Sequence, residues 1–260
     1  MTLKQIGWAL GILVVLALVF GWLASFSKPM APAHEEATSP ILHGTATTTG
    51  DFEYAEAGDG YKIDIIYPSK TGLAADADLR ARTAMEQGLA GIVQDFKSNA
   101  ATSLTPDELT RLQSMGTYYA LSMEYKPYHG STTVSYEFDV YEDTGGAHPN
   151  GYFKTFVFDQ SGNELKLADL FVPGSDYLQK IAAAATAQVT KQLQAGLEQQ
   201  DVSGAIFKEG LAPTDDNFQN FVIDNNDLVV LIPPYQVAAY VAGSFEIRIP
   251  LSQLVNELKN

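Results

Sequence analysis

The chain has 260 residues, 16 Lys+Arg against 31 Asp+Glu, a net charge of −15 and no cysteine. A polyanion of this size repels phosphate backbones and acidic headgroups, which are bound by Lys and Arg displacing counterions, so nucleic-acid and peripheral lipid binding are excluded as main roles. Without cysteine there are no disulfides, thiolate zinc sites, iron–sulfur clusters or cysteine nucleophiles.

The first element is Ile6 to Leu23, a run without a single charged residue, with Trp8 and Trp22 near its ends. Indole rings favour the membrane interface, and at about 1.5 Å per residue the run just crosses a hydrocarbon core of roughly 30 Å. It predicts an uncleaved transmembrane anchor. The alternative is a cleaved signal peptide, whose apolar region is usually about 7–15 residues; Ala31-Pro32-Ala33 mimics a cleavage site but lies well beyond the run. Lys4 and the α-amino group favour residues 1–5 as a short cytoplasmic tail, which places the rest outside the cytoplasm. The expected localisation is therefore the cell membrane, single-pass, with Ile6–Leu23 the only membrane contact.

Residues 24–50, rich in Pro, Ala, Thr, Ser and Gly, are read as a flexible stalk. Beyond Pro29 stand 14 of the 16 basic residues and all 31 acidic ones, a balance of −17. Residues 51–128 are taken as an N-terminal α+β subdomain and 129–260 as a C-terminal one. In the first, Phe52 and Tyr54, then Tyr61, Ile63, Ile65 and Tyr67, alternate with polar residues across Ala57-Gly58-Asp59-Gly60, a hairpin pattern. Leu79, Met85, Leu89, Ile92 and Phe96 follow at helical spacing. Thr105-Pro106-Asp107-Glu108 predicts a sharp helix start closed by a capping box, and Gly116 a stop.

Strands are expected over Thr117–Tyr125, Thr132–Tyr141 and Tyr152–Asp159, with a turn at Gln160-Ser161-Gly162-Asn163. Leu178, Ile181, Ala185, Val189, Leu193 and Leu197 predict the longest amphipathic helix. Phe218–Asp224 and Leu228–Ile232 predict a hairpin across Asn225-Asn226, and Ser244–Ile249 a last strand. The fold class expected is α+β, mostly antiparallel sheet packed with helices, behind one N-terminal transmembrane helix.

The signatures of P-loops, dinucleotide folds, zincins and serine hydrolases are absent. Two isolated histidines outside the stalk, His129 and His148, have no metal-site spacing. No catalytic residue, metal or cofactor is expected. The densest special sequence is Gly145-Gly146-Ala147-His148-Pro149-Asn150-Gly151, more constrained than a two-residue hairpin turn requires. It either holds His148 and Asn150 toward a ligand or forms a structural corner capped by His148. Asp215-Asp216 is read as a solvated loop.

Two runs resemble a known family: GGAHPNGYFKTFVFDQSGNELKLADLF (Gly145–Phe171) and FVIDNNDLVVLIPPYQVAAYVAGSFEIRIPLSQL (Phe221–Leu254) are similar to the RsiV-like extracytoplasmic domain. The resemblance spans roughly Phe52 to Leu258. That domain occurs in a lysozyme-sensing anti-sigma factor and attached to the PdaC-type peptidoglycan deacetylase. Only about five residues precede the span here, and the chain reaches Asn260 without a metal-binding Asp/His set, so neither activity is expected to carry over. What the resemblance implies is a binding or sensing surface in which His148, Pro234, Tyr235 and Tyr240 sit in the family motif. The expected partner is a cationic, lysozyme-like protein or a cell-wall component, toward which the negative charge steers encounter. The alternative function is a cell-wall hydrolase with a cryptic site near His148. Tyr235 is either a partner anchor or a core residue beside Leu231 and Val237.

Overall fold

The computed structural model describes residues 41–48, 50–196 and 201–259. The expected tail, the anchor Ile6–Leu23 and most of the stalk lie outside these residues. Among the described residues no helix is long and apolar enough to cross a membrane.

Among the described residues nine strands form two sheets. A six-stranded sheet runs in order β1 (Thr45–Ala46), β2 (Asp51–Gly58), β3 (Tyr61–Pro68), β4 (Tyr119–His129), β5 (Thr133–Asp143) and β6 (Asn150–Asp159). A three-stranded sheet holds β7 (Phe221–Asp224), β8 (Asp227–Ile232) and β9 (Phe245–Pro250). The three α-helices among the described residues are α1 (Ala75–Ser103), α2 (Pro106–Met115) and α3 (Tyr177–Gly196). The class is α+β, but the large sheet is mixed, because β3 and β4 pair in parallel. A parallel pair needs a crossover of a dozen or more residues, and α1 with α2 supplies it.

Local signals account for most element ends. The turn between β2 and β3 is Asp59-Gly60, with Gly60 at φ 80°. Thr105 caps α2 by accepting a hydrogen bond from Glu108 N at 3.2 Å, Pro106 sits in its first turn, and Gly116 ends it at φ 65°. The expected capping box is not closed: the Glu108 side chain accepts from Arg111 and Tyr119 instead. In α1 the buried stripe is Ala77, Ala81, Met85, Leu89, Val93, Phe96 and Ala100, while Leu79 is exposed. At 29 residues α1 is longer than α3, which has 20, so the longest helix is not the one expected.

The end of the expected stalk belongs to the fold. Leu42 is buried, the Tyr67 hydroxyl accepts from Gly44 N at 2.7 Å, and β1 pairs with β2. The boundary expected after Tyr128 falls within β4, a strand that pairs along its length with β5. A small cluster of Tyr128, Val222, Val229 and Leu231 joins the two sheets, and the two larger hydrophobic cores among the described residues divide at β6. One lies under α1, around Leu89, Phe96, Phe138 and Phe156; the other lies between α3 and the small sheet, around Val157, Ile181, Phe218 and Val230.

Where the sheets meet, β5 is covered on both faces. Thr133 to Phe138 are all buried, including Ser135 and Glu137. Buried polar groups must find partners; the Thr133 hydroxyl has none among the described residues, but Ser135 and Glu137 do. The Ser135 hydroxyl accepts from Ile223 N at 3.2 Å, the Thr155 hydroxyl accepts from Phe221 N at 3.2 Å, and Tyr128 donates to Glu137. The outward N–H groups of edge strand β7 are thus satisfied by hydroxyls of the large sheet.

Glu56 offers a pH test of this framework. It accepts from Lys97 Nζ at 2.6 Å, from Tyr61 at 2.7 Å and from Tyr54. The Lys97 ammonium, then the Tyr54 hydroxyl, lower its pKa from 4.5 to about 2 against the opposing effect of burial. A depressed carboxylate stabilises the fold fully above its ordinary value and loses that contribution as pH falls through the folded one. Glu56→Gln should therefore be less stable than the parent near neutrality. The gap should narrow between pH 4.5 and about 2, as read by urea unfolding along a pH series. A gap constant across that window would mean that the charge of Glu56 contributes nothing.

Candidate functional site

The β5–β6 loop is clamped at its start. Gly145 adopts φ 78°, and its N–H donates to Asp143 Oδ1 at 2.9 Å. A Cβ there would lie 2.9 Å from Tyr119 Cε1, so glycine is needed both for the backbone and for the approach. The chain then presents His148 and Pro149 before β6 begins at Asn150.

The facing element is the loop after β8. Gln236 N donates to Pro233 O at 3.3 Å, with Pro234 at the second position and Tyr235 at the third, at φ 69°. This is the pattern of a type II turn, whose third position normally requires glycine because a Cβ is strained at positive φ. The turn is held from behind. Gln236 Nε2 donates to Gly210 O at 3.0 Å and to Asn217 O at 2.9 Å, and Phe207 N donates to Val237 O at 2.8 Å. Val237 and Ala238 are buried. The bulky residue in the strained position is itself 52% exposed. The core alternative for Tyr235 is therefore overturned: Leu231 and Val237 point inward, and Tyr235 points out.

The two loops meet in an aromatic cluster. His148 stacks on Tyr240, with ring centroids 4.1 Å apart and planes at 19°. Tyr235 lies 5.7 Å from His148 and 5.2 Å from Tyr240. The His148 Nδ1 is 2.9 Å from Pro149 O and its Nε2 2.9 Å from the Tyr235 hydroxyl. A carbonyl only accepts, which assigns the proton to Nδ1; in the neutral ring Nε2 then accepts from the Tyr235 O–H. The Tyr240 hydroxyl donates to the same Pro149 carbonyl at 3.3 Å. Beside the cluster Val241 is 94% exposed.

Of the five residues singled out in the sequence, His148, Tyr235 and Tyr240 are brought together. Pro234 sets the turn, and Asn150 opens β6 opposite Glu142, exposed. Sequence reasoning missed Pro149, whose carbonyl joins His148 to Tyr240, and Gln236, which secures the turn. The His-Pro dipeptide was visible; the Gln236 contacts are not local and left no signal. Among the described residues no group of three or more His, Cys, Asp or Glu is placed to hold a metal ion. The chemistry on offer is ring stacking, cation–π attraction and one polarised phenol.

The chain is similar to several known proteins. Residues 168–252 match the model of a family described as "Protein of unknown function (DUF3298)". The chain is 34% identical over 141 residues to the peptidoglycan-N-acetylmuramic acid deacetylase PdaC of Bacillus subtilis (strain 168), covering 54% of this chain and 29% of that protein. It therefore spans less than a third of the deacetylase. It is also 22% identical over 247 residues to a Mycobacterium tuberculosis protein named as an esterase, covering 95% and 96% of the two chains. The crystal structure of a DUF3298 family member from Bacteroides fragilis NCTC 9343 shares the fold, with TM-score 0.55 at 18% identity over 81% of this chain and 92% of that one.

Proposed function

We propose that this chain is a membrane-anchored, extracytoplasmic, RsiV-like binding module that holds a cationic, lysozyme-like protein or a cell-wall component on the Tyr235–His148–Tyr240 cluster. The observation that carries this reading is Tyr235, half exposed and held at φ 69° by a turn braced on Gln236. Backbone strain at a bulky residue persists only where the surroundings over-determine it, and such strain concentrates at ligand clamps. An aromatic ring of low conformational entropy is a favoured interface anchor. The net charge of −15 supplies the attraction for a basic partner, and the kinship with a peptidoglycan-acting protein supports a cell-wall setting.

The test passes the full chain over immobilised lysozyme at low and near-physiological salt. The on-rate should fall as screening shortens to about 8 Å, with the off-rate little changed. Absence of binding at every salt concentration overturns the lysozyme reading.

A second reading, a hydrolase centred on His148, is favoured by the backbone-fixed tautomer that leaves Nε2 free to act as a base toward the Tyr235 hydroxyl. The full-length likeness to an esterase points the same way. Labelled peptidoglycan separates the two: turnover that disappears in His148→Ala removes the purely binding role.

A further inference from the structure

The edges of the two sheets are managed unequally. In β9 the side-chain amide of Gln188 acts as a surrogate strand, donating to Arg248 O at 2.8 Å and accepting from Arg248 N at 3.2 Å, and Gln192 donates to Glu246 O. The outward N–H groups of Phe221 and Ile223 in β7 are met by Thr155 and Ser135. β1 is only two residues long. On β6, the last part is covered by the returning chain: Leu165 N donates to Val157 O at 2.7 Å, and Asp159 N donates to Asn163 O at 3.0 Å.

Those two bonds fix the direction of the rest of β6. In an antiparallel strand the N–H and C=O of one residue point to the same side, and alternate residues point to opposite sides. Val157 and Asp159 point away from β5, so Gly151, Phe153 and Thr155 do as well, and among the described residues none of these three has a backbone partner on that side. An edge of this kind is a template for another strand, which native proteins usually blunt with proline, bulges or cover. Here the edge opens into a cleft of about 720 Å³, walled by Glu164–Ala168 on one side and by Asp215–Phe221 on the other.

We propose that the open edge of β6 from Gly151 to Thr155 accepts an extended, basic polypeptide segment of the partner as a seventh strand. This deepens the binding reading and rests on it, naming how a protein partner is gripped beside the aromatic cluster. Five residues of strand span about 17 Å and match the three outward positions. A second copy of this chain would bring its own Glu164–Ala168 and Asp215–Phe221 segments against these walls. Charge selects the segment. Glu164, Asp215 and Asp216 line the cleft. The cations there are Lys154, whose ammonium lies over the Phe156 ring at 4.5 Å, and Lys166. Three carboxylates against two ammonium groups, in a chain of net charge −15, favour lysine or arginine at alternate positions of the incoming strand.

The probe is an eight-residue peptide alternating lysine and valine, offered to the isotopically labelled full chain. Its counterparts carry glutamate for lysine, or N-methyl groups at alternate residues. The lysine peptide should slow hydrogen exchange at the Phe153 and Thr155 amides at least tenfold, and the other two should not. Phe153→Pro should weaken the peptide at least tenfold; an outward edge N–H makes no ladder bond, so its cost to the fold is the loss of the Phe153 ring from the Tyr128, Val222 and Leu231 cluster. Should that variant fail to fold, the N-methylated peptide still decides, since equal binding by it overturns the proposal. So do binding without amide protection, equal binding of the glutamate peptide, or a wild-type dimer that Phe153→Pro dissociates. Lysozyme binding that survives Phe153→Pro but not Tyr235→Ala overturns the strand proposal alone. Amide protection by the peptide with no lysozyme binding overturns the lysozyme reading alone.

Discussion

Tyr235→Gly should leave the melting temperature within a few degrees of the parent while raising the off-rate of a bound cationic partner by about thirtyfold, the equivalent of a hot-spot cost near 2 kcal/mol. Two opposing terms set the stability. Holding a bulky residue at φ 69° costs on the order of 1–3 kcal/mol, which glycine relieves at the third position of this turn. Against that stand the lost hydrogen bond to His148, about 1 kcal/mol, and the extra backbone freedom of glycine, about 0.5–1 kcal/mol. The sum lies near zero, and each 1 kcal/mol of imbalance moves the melting temperature by only about 2–4 °C. Binding has no such compensation, because the exposed ring is gone. Tyr235→Ala loses the ring without relieving the strain, so it should melt lower than the glycine variant and bind equally poorly. A glycine variant with a large fall in melting temperature and an unaltered off-rate would make Tyr235 a structural residue and remove it from the site.

Gly210→Ala should damage both fold and site from a position that touches neither ring. A Cβ on Gly210 would stand 1.9 Å from Gln236 O, so a whole methyl group must displace backbone rather than a pliant side chain. Overpacking of this kind costs about 1–3 kcal/mol, or several degrees of melting temperature. The displaced residue is the one that braces the Tyr235 turn through Gly210 O and Asn217 O. The off-rate should therefore rise together with the loss of stability. Gly91→Ala serves as the control: nothing lies within 4 Å of its added Cβ, it sits inside α1, and the change should stabilise by about 0.5–1 kcal/mol. If Gly210→Ala melts normally, or melts early with an unchanged off-rate, the Gln236 brace does not position Tyr235.

What the chain determines by itself is local. The alternation through Tyr61, Ile63, Ile65 and Tyr67 marks β3, and Ile181, Ala185, Val189 and Leu193 are the buried stripe of α3. Thr105, Pro106 and Gly116 set the limits of α2, because caps and turns are decided within a few residues. The density of glycine and proline around His148 marks one loop of unusual backbone.

Tertiary structure alone decided the rest. The parallel pairing of β3 with β4, the burial of Ser135 and Glu137, the exposure of Leu79 and the docking of Leu42 depend on groups distant in sequence. The positive φ of Tyr235 is invisible from its neighbours, since local propensity would assign that position to glycine. It is sustained by Gly210 and Asn217, 26 and 19 residues from Gln236. Likewise a free strand edge exists only relative to strands that fail to cover it. Each of these features is a balance between one residue and partners brought in by the fold, and no local pattern contains the partners.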